Sequence, residues 1–175
     1  KAWLDLGFAI DRLIVSLSPH QLAIEDLPLR VASIVRESGL APDHLELDVT
    51  ESAVPRLGSG ADASLRALKR LGVHVAIDDF GTGSSSLASL RSLPVDAIKI
   101  DGSFIRSLPE DRSQREIVLM MISLARQLGL DVVAEGVENG EQAKFLTWSD
   151  CTLAQGYHFG RPAPPDEVAA LLAGR

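Results

Sequence analysis

Short apolar runs alternate with stretches of helical spacing along the whole chain. "LIVSLS" reads as a strand ending near Ser16. Leu27, Val31, Ile34 and Val35 then recur with helical spacing, and Gly39 marks a C-terminal stop. "HLELDV" is a second strand, and "ADASLRALKRLG" a helix that turns Leu65, Leu68 and Leu71 inward and ends at Gly72. "VHVAID" is a third strand, followed by a short helix in "SSSLASLRSL" that Pro94 stops. "DAIKID" is a fourth strand, "SQREIVLMMISLARQLG" the longest helix, closed by Gly129, and "DVVAEG" a fifth strand. A helix near 140–147, a short strand near 153–157 and a last helix from Pro165 complete the pattern.

Strand and helix alternating at a period of roughly 20 to 36 residues predicts βα units around a parallel sheet. The polar residues decide between an open sheet and a closed barrel. Ser16, Asp48, Asp78, Lys99 and Glu135 each fall at or beside the C-terminal end of a different strand. Side chains alternate along a strand, so Asp78 shares a side with Ala76 and His74, while Val75 and Ile77 face the covering helices. The same register places Ala97 beside Lys99 and Val133 beside Glu135. Polar groups converging from many strand ends onto one rim is the barrel pattern, whereas an open sheet gathers them at one switch point. The expected fold is therefore α/β, a TIM-like (β/α) barrel. A full barrel takes about 250 residues. Six strands are visible in 175 residues, so residues 1–175 are expected to form one incomplete barrel domain. About the first two βα units are expected upstream, because the chain starts without an initiator methionine.

Composition narrows the function classes. Hydrophobic residues make up 46% and charged residues 23%, as in a soluble domain with a real core. No apolar run is long enough to span a membrane, and Asp5 interrupts the apolar start, so neither a membrane contact nor an export signal is expected. Cys151 is the sole cysteine, which excludes a disulfide framework and a Cys-based metal site and suits a reducing compartment. The net charge of -7 argues against DNA or RNA polymers bound by a basic surface. It leaves open a phosphate ligand held through metal ions.

The stretch "AIDDFGTGS" carries the sharpest chemical signal. Asp78 and Asp79 stand side by side where an apolar strand ends, and two such carboxylates repel unless something positive joins them. Taken alone, an Asp pair is most often a turn or a helix cap. With Asp48 and Glu135 on two other strand ends, it reads as a divalent cation site, and oxygen ligands suit Mg²⁺, Mn²⁺ or Ca²⁺ better than Zn²⁺. Lys99, on a strand between them, is placed to meet a negatively charged oxygen or to lower the pKa of a bound water. Glu135 is placed to accept a proton from an activated water. Gly81 and Gly83 allow a tight loop after the pair, with Thr82 and the serines as hydrogen-bond donors; by itself a GxG is a turn and matches no dinucleotide fingerprint. Glu138 fits equally a helix-start carboxylate favoured by the helix dipole. His74 reads as an inward core residue rather than a ligand, and His20, His44 and His158 lack metal-ligand spacing.

The segments "LELDVTES", "AIDDFGTGSSSLASLRSLPVDAIKID", "VVAEGVEN" and "AQGYHFGRP", in this order, strongly resemble the EAL domain, the bacterial cyclic di-GMP phosphodiesterase module. The resemblance covers nearly the whole chain. It implies a TIM-like barrel with one strand reversed, a two-metal site for Mg²⁺ or Mn²⁺, and hydrolysis of one phosphodiester bond of cyclic di-GMP to linear pGpG. By this resemblance Asp78 is the aspartate shared by both metals and Asp79 its partner on the second. Lys99 matches the lysine near the attacking water and phosphate, and Glu135 the general base or second-metal ligand. Glu51 and Glu138 match glutamates that steady the site and the loop after the Asp pair, and Gln155 a glutamine near the bound nucleotide. It also implies a bacterial cytoplasmic setting, as a free protein or as the cytosolic part of a membrane-anchored parent, pairing into a homodimer, and fusion to sensory or GGDEF-type domains.

The chain departs from the family pattern at points that bear on catalysis. The Glu-Ala-Leu signature, which in the family supplies a first-metal ligand and a nearby arginine, is absent from this chain; in the family it lies upstream of the segment matching "IVSLS", so truncation is expected to explain its absence. Ser16 stands where the family usually has Asn, and a hydroxyl is a shorter and poorer ligand than an amide carbonyl. Asp48 stands where the family usually has Glu, one methylene longer. The tyrosine often found at Ser84 is missing. Three readings follow: an active phosphodiesterase in the full-length parent, a degenerate domain that binds cyclic di-GMP without cutting it, or a regulatory scaffold that does neither. The 175-residue piece alone is expected to be inactive, since an open barrel lacks a first-metal ligand.

Overall fold

The computed structural model describes residues 1–56, 59–83 and 87–173. The chain begins with the short helix α1 (Ala2–Asp5), strand β1 (Leu13–Leu17), the single-turn α2 (Pro19–Leu22) and α3 (Leu27–Ser38). Strand β2 (Leu45–Thr50), α4 (Ser59–Arg70), β3 (His74–Phe80) and α5 (Leu87–Ser92) follow. Next come β4 (Ala97–Ile100), the single-turn α6 (Gly102–Ile105), the long α7 (Arg112–Leu128) and β5 (Asp131–Ala134). Helix α8 (Gly140–Trp148), β6 (Leu153–Ala154) and α9 (Pro165–Ala173) complete the chain.

The six strands of the described residues pair in parallel in the order of the sequence, β1 to β6. The sheet is an open arc of a barrel, as the alternation of strand and helix predicts. Helix ends obey local chemistry. Gly39 and Gly129 stop α3 and α7 in the left-handed conformation, at φ 66° and 72°. Asp111 caps α7 by accepting from the backbone of Ser113 and Gln114, and Asn139 caps α8 from Glu141 and Gln142. The last strand is shorter than the 153–157 expected, because the chain turns at Gly156, whose carbonyl accepts from the N–H groups of Phe159 and Gly160.

The two faces of the sheet differ in kind. The outward residues Leu47, Val49, Val75 and Ile77 are buried beneath α3, α4 and their neighbours, and Ile98 and Ala134 beneath α7 and α8. On the inward face, Glu46 and Asp48 of β2 lie in register with His74 and Ala76 of β3, and Ala76 lies in register with Ala97 of β4. Strand β1 is an edge with exposed apolar side chains: Leu13, Ile14 and Val15 are 53%, 43% and 42% exposed. Among the described residues no helix is long and apolar enough to cross a membrane. The helix expected over 84–93 is present as Leu87–Ser92; residues 84–86, including Ser84, lie outside the described part.

The core makes a direct stability prediction. Leu65 of α4 is fully buried in the cluster with Val49, Val73 and Val75. Leu65→Ala is expected to cost about 2–5 kcal/mol in urea unfolding. Leu29→Ala, at a side chain 74% exposed, is expected to change stability by less than about 0.5 kcal/mol.

Candidate functional site at the carboxyl rim of the strands

Strand β3 does not end regularly. Ile77 pairs with Ile98 and Phe80 with Ile100, so β3 holds one residue more than β4 between these pairs. The extra residue makes a bulge, and Asp79 within it adopts φ 55°, uncommon for any residue but glycine. In a regular strand two adjacent side chains point to opposite faces. Here the bulge re-aims Asp79, and carboxylate oxygens of Asp78, Asp79 and Glu135 all lie within 4.8 Å of one another. The Asp79 N–H donates to Asp78 Oδ1 at 2.9 Å. Thr82 closes the turn, its N–H and Oγ1–H both donating to the Asp79 carbonyl at 3.2 and 2.8 Å.

A buried carboxylate holds the loop that follows. Glu51 Oε2 accepts from the N–H of Gly81 at 2.7 Å and of Gly83 at 3.2 Å. Gly81 has φ 99°, and a Cβ there would lie 2.8 Å from the Phe104 ring. A Cβ on Gly83 would lie 2.9 Å from the Glu51 carboxyl carbon. The glycines are therefore required by the close approach of loop to anchor.

Inside the arc runs a ladder of alternating charge. Arg12 Nη1 donates to Glu46 Oε2 at 3.0 Å, Lys99 Nζ lies 3.4 Å from Glu46 Oε1, and Lys99 donates to Asp48 Oδ2 at 2.5 Å. Lys99 is 1% exposed and Asp48 4%. Burial works to lower the Lys99 pKa, but the hydrogen bond and charge of Asp48, with Glu46 and Glu135 behind it, leave it raised. Burial, opposed by Lys99, pushes Asp48 up to about 6. Asp48 Oδ1 is buried with no hydrogen-bond partner among the described residues.

Glu135 follows β5 directly, and its N–H donates to the Ile100 carbonyl at 3.0 Å. Burial and then the charge of Asp78 push its carboxyl up to about 7, against the pull of Lys99. Burial, followed by the charges of Asp78 and Asp101, also raises Asp79. Gln155 Nε2 donates to Glu135 Oε1 at 2.6 Å. Beside Gln155 and Glu138 opens a cavity of about 760 Å³ lined by Tyr157, Phe159 and Arg161, the guanidinium lying 4.5 Å over the Tyr157 ring.

Asp78, Asp79 and Glu135, read from sequence as metal ligands, do converge. Three carboxylates on a rim suit a hard divalent cation such as Mg²⁺ or Mn²⁺. Asp48 stands outside that trio, held by Lys99. Ser16 is exposed, in register with Asp48 on the neighbouring strand. Glu138 is exposed, and its backbone N–H donates to Gln142 Oε1 at 2.7 Å, just ahead of the α8 cap. His74 sits at the opposite end of β3, its Nδ1 3.8 Å from Asp96 Oδ2. Sequence reasoning did not single out Arg12 and Glu46. The signal was there: Glu46 and Asp48 share one face of a strand otherwise apolar on the other.

Two outcomes are expected. Lys99→Met, leaving Asp48 buried without its cation and Glu46 with Arg12 alone, should cost about 3–5 kcal/mol in urea unfolding, with part recovered by adding Asp48→Asn. The second concerns pH. From the ordinary 4.5 up to about 7, folded Glu135 keeps a proton that the unfolded chain has lost. Stability without metal therefore falls as pH rises through this window. In EDTA, Glu135→Gln should raise the melting temperature at pH 8 and leave it unchanged at pH 4.

The EAL domain family model matches residues 1–162. The chain is 43% identical to the bifunctional diguanylate cyclase/cyclic di-GMP phosphodiesterase MucR of Pseudomonas aeruginosa, over 99% of this chain and 25% of that protein. The solved PaMucR phosphodiesterase in complex with c-di-GMP superposes with TM-score 0.89 at 41% identity, covering 95% of this chain and 68% of the other. The EAL domain of Mycobacterium smegmatis DcpA gives TM-score 0.92 at 39% identity, covering 99% and 78%. The manganese/cy-diGMP complex of Klebsiella pneumoniae BlrP1 gives 0.84 at 32%, covering 93% and 41%. The chain thus spans 19% to 25% of the length of curated relatives such as MucR. With its strand order, its acidic rim and its match over residues 1–162, the chain belongs to the EAL domain family.

Proposed function

We propose that this chain carries the hydrolytic rim of a metal-dependent cyclic di-GMP phosphodiesterase that opens one phosphodiester bond to give linear pGpG. The observation that carries the reading is the convergence of Asp78, Asp79 and Glu135 beside the buried Lys99. The c-di-GMP named for the MucR and BlrP1 complexes supports the substrate, and the manganese named for BlrP1 supports Mg²⁺ or Mn²⁺.

Asp78, Asp79 and Glu135 would hold the cation, which when bound supplies Lewis-acid polarisation of the phosphate and a more acidic water. The chain's own groups do the rest. Glu135 takes the proton of the attacking water. As the water oxygen joins phosphorus, the bond to the ribose 3′ oxygen breaks, and that oxygen takes up a proton from solvent. Lys99 faces the negative phosphate oxygens with the part of its ammonium that Asp48 and Glu46 leave over. Glu51 and Thr82 hold the loop after the Asp pair at the rim, and the cavity beside Gln155 and Glu138 has room for a nucleobase. The parent protein is read as a cytoplasmic bacterial signalling protein carrying a GGDEF-type partner domain and pairing into a homodimer; the diguanylate cyclase activity in MucR's name supports the partner domain.

One observation favours a second reading, a receptor that binds cyclic di-GMP intact. Ser16 and Asp48, the proposed first-metal ligands, are the short replacements, and Asp48 is engaged by Lys99. The full-length parent with Mn²⁺ is expected to release pGpG, read by chromatography. Glu135→Gln should lower kcat by about 100- to 10 000-fold, and EDTA should abolish turnover. Tight binding with no pGpG, converted to turnover by Ser16→Asn with Asp48→Glu, would establish the receptor reading instead.

A further inference from the structure

We infer that Gln155 is a positioning residue: its amide sets the orientation of the Glu135 carboxylate, and its role is not to contact nucleotide. The inference rests on the reading of Glu135 as proton acceptor and cation ligand.

The main chain of Gln155 straddles Glu135. Its N–H donates to the carbonyl of Ala134 at 2.8 Å, and its carbonyl accepts from the N–H of Val137 at 3.0 Å. The residues on either side of the Glu135–Gly136 corner are therefore both tied to residue 155. From that fixed backbone the side chain crosses to Glu135, and Nε2 donates to Oε1 at 2.6 Å.

Two glycines make this approach obligatory. At Gly156, φ is +153°, and a Cβ there would overlap the backbone of Val137. At Gly136, φ is +67°, and a Cβ would lie 3.0 Å from the Cα of Gly102. The corner holding Glu135 is thus wedged between the β4 exit and the β6 exit, with no room for a side chain on either side.

The side-chain bond completes the restraint. A free glutamate carboxylate rotates about its last bond and offers its oxygens in a broad range of directions. An amide N–H on Oε1 removes that freedom and leaves Oε2 for a cation or a proton. Such outer hydrogen bonds typically change metal affinity by about 10- to 100-fold. Gln155 itself is exposed, so its substitution leaves the buried packing in place.

The test uses Gln155→Met, which keeps the side chain's length and removes the donor. Mn²⁺ affinity, read from the electron paramagnetic resonance signal of free Mn²⁺, should weaken about 10- to 100-fold, with far-ultraviolet circular dichroism unchanged. In a Glu135→Gln background the same substitution should change Mn²⁺ affinity less than about 2-fold, because both act through one carboxylate. In the full-length parent, kcat should fall while KM moves less than about 3-fold. Wild-type Mn²⁺ affinity retained in Gln155→Met, with KM raised instead, overturns the inference and leaves the proposed function standing. Absence of Mn²⁺ binding by the wild-type chain overturns the metal reading of the rim and this inference with it.

Discussion

The interior of the arc depends on the compensation of buried charge. Lys99 is almost wholly removed from solvent, and an isolated ammonium there would be too costly to keep ionised. Asp48 and Glu46 on β2 hold it charged, and Arg12 in turn balances Glu46. The small Ala76 and Ala97 occupy inward positions on the strands next to these groups. A barrel can carry charged chemistry at its rim only if the layer beneath is electrically closed, and this ladder closes it.

Above that layer the compensation is weaker. Among the described residues Asp78, Asp79 and Glu135 form no ion pair, and burial, with the charge of Asp78 and against the pull of Lys99, lifts Glu135 to about 7. The contrast between Asp48, ion-paired with Lys99, and a trio for which no ion pair is found among the described residues marks where an added cation does most. The bulge in β3 is the backbone device behind it, since regular pleating would have sent Asp79 to the other face.

Much of this was legible in the residues. Parallel βα units followed from the alternation of strand and helix runs, and the inward set from period-two spacing on β2, β3 and β4. The capping glycines at 39 and 129 were read where they occur. What stayed hidden depends on geometry across the chain. Strand periodicity places Asp78 and Asp79 on opposite faces, and nothing in the string announces that residue 79 enters the left-handed region. The partner of Gln155 was hidden as well, because twenty residues separate it from Glu135 and only the stitched β5–β6 exit brings them together. Asp48 as counter-ion of Lys99 requires knowing that two side chains from non-adjacent strands meet inside the arc.

The unpaired flank of β1 has a practical outcome. Its Leu13, Ile14 and Val15 present both open backbone groups and greasy side chains to water. Such a border is a template for strand addition. Self-association of this polypeptide is expected to follow that margin, and because Ser16 lies on the same strand in register with Asp48, whatever is laid along it also borders the rim.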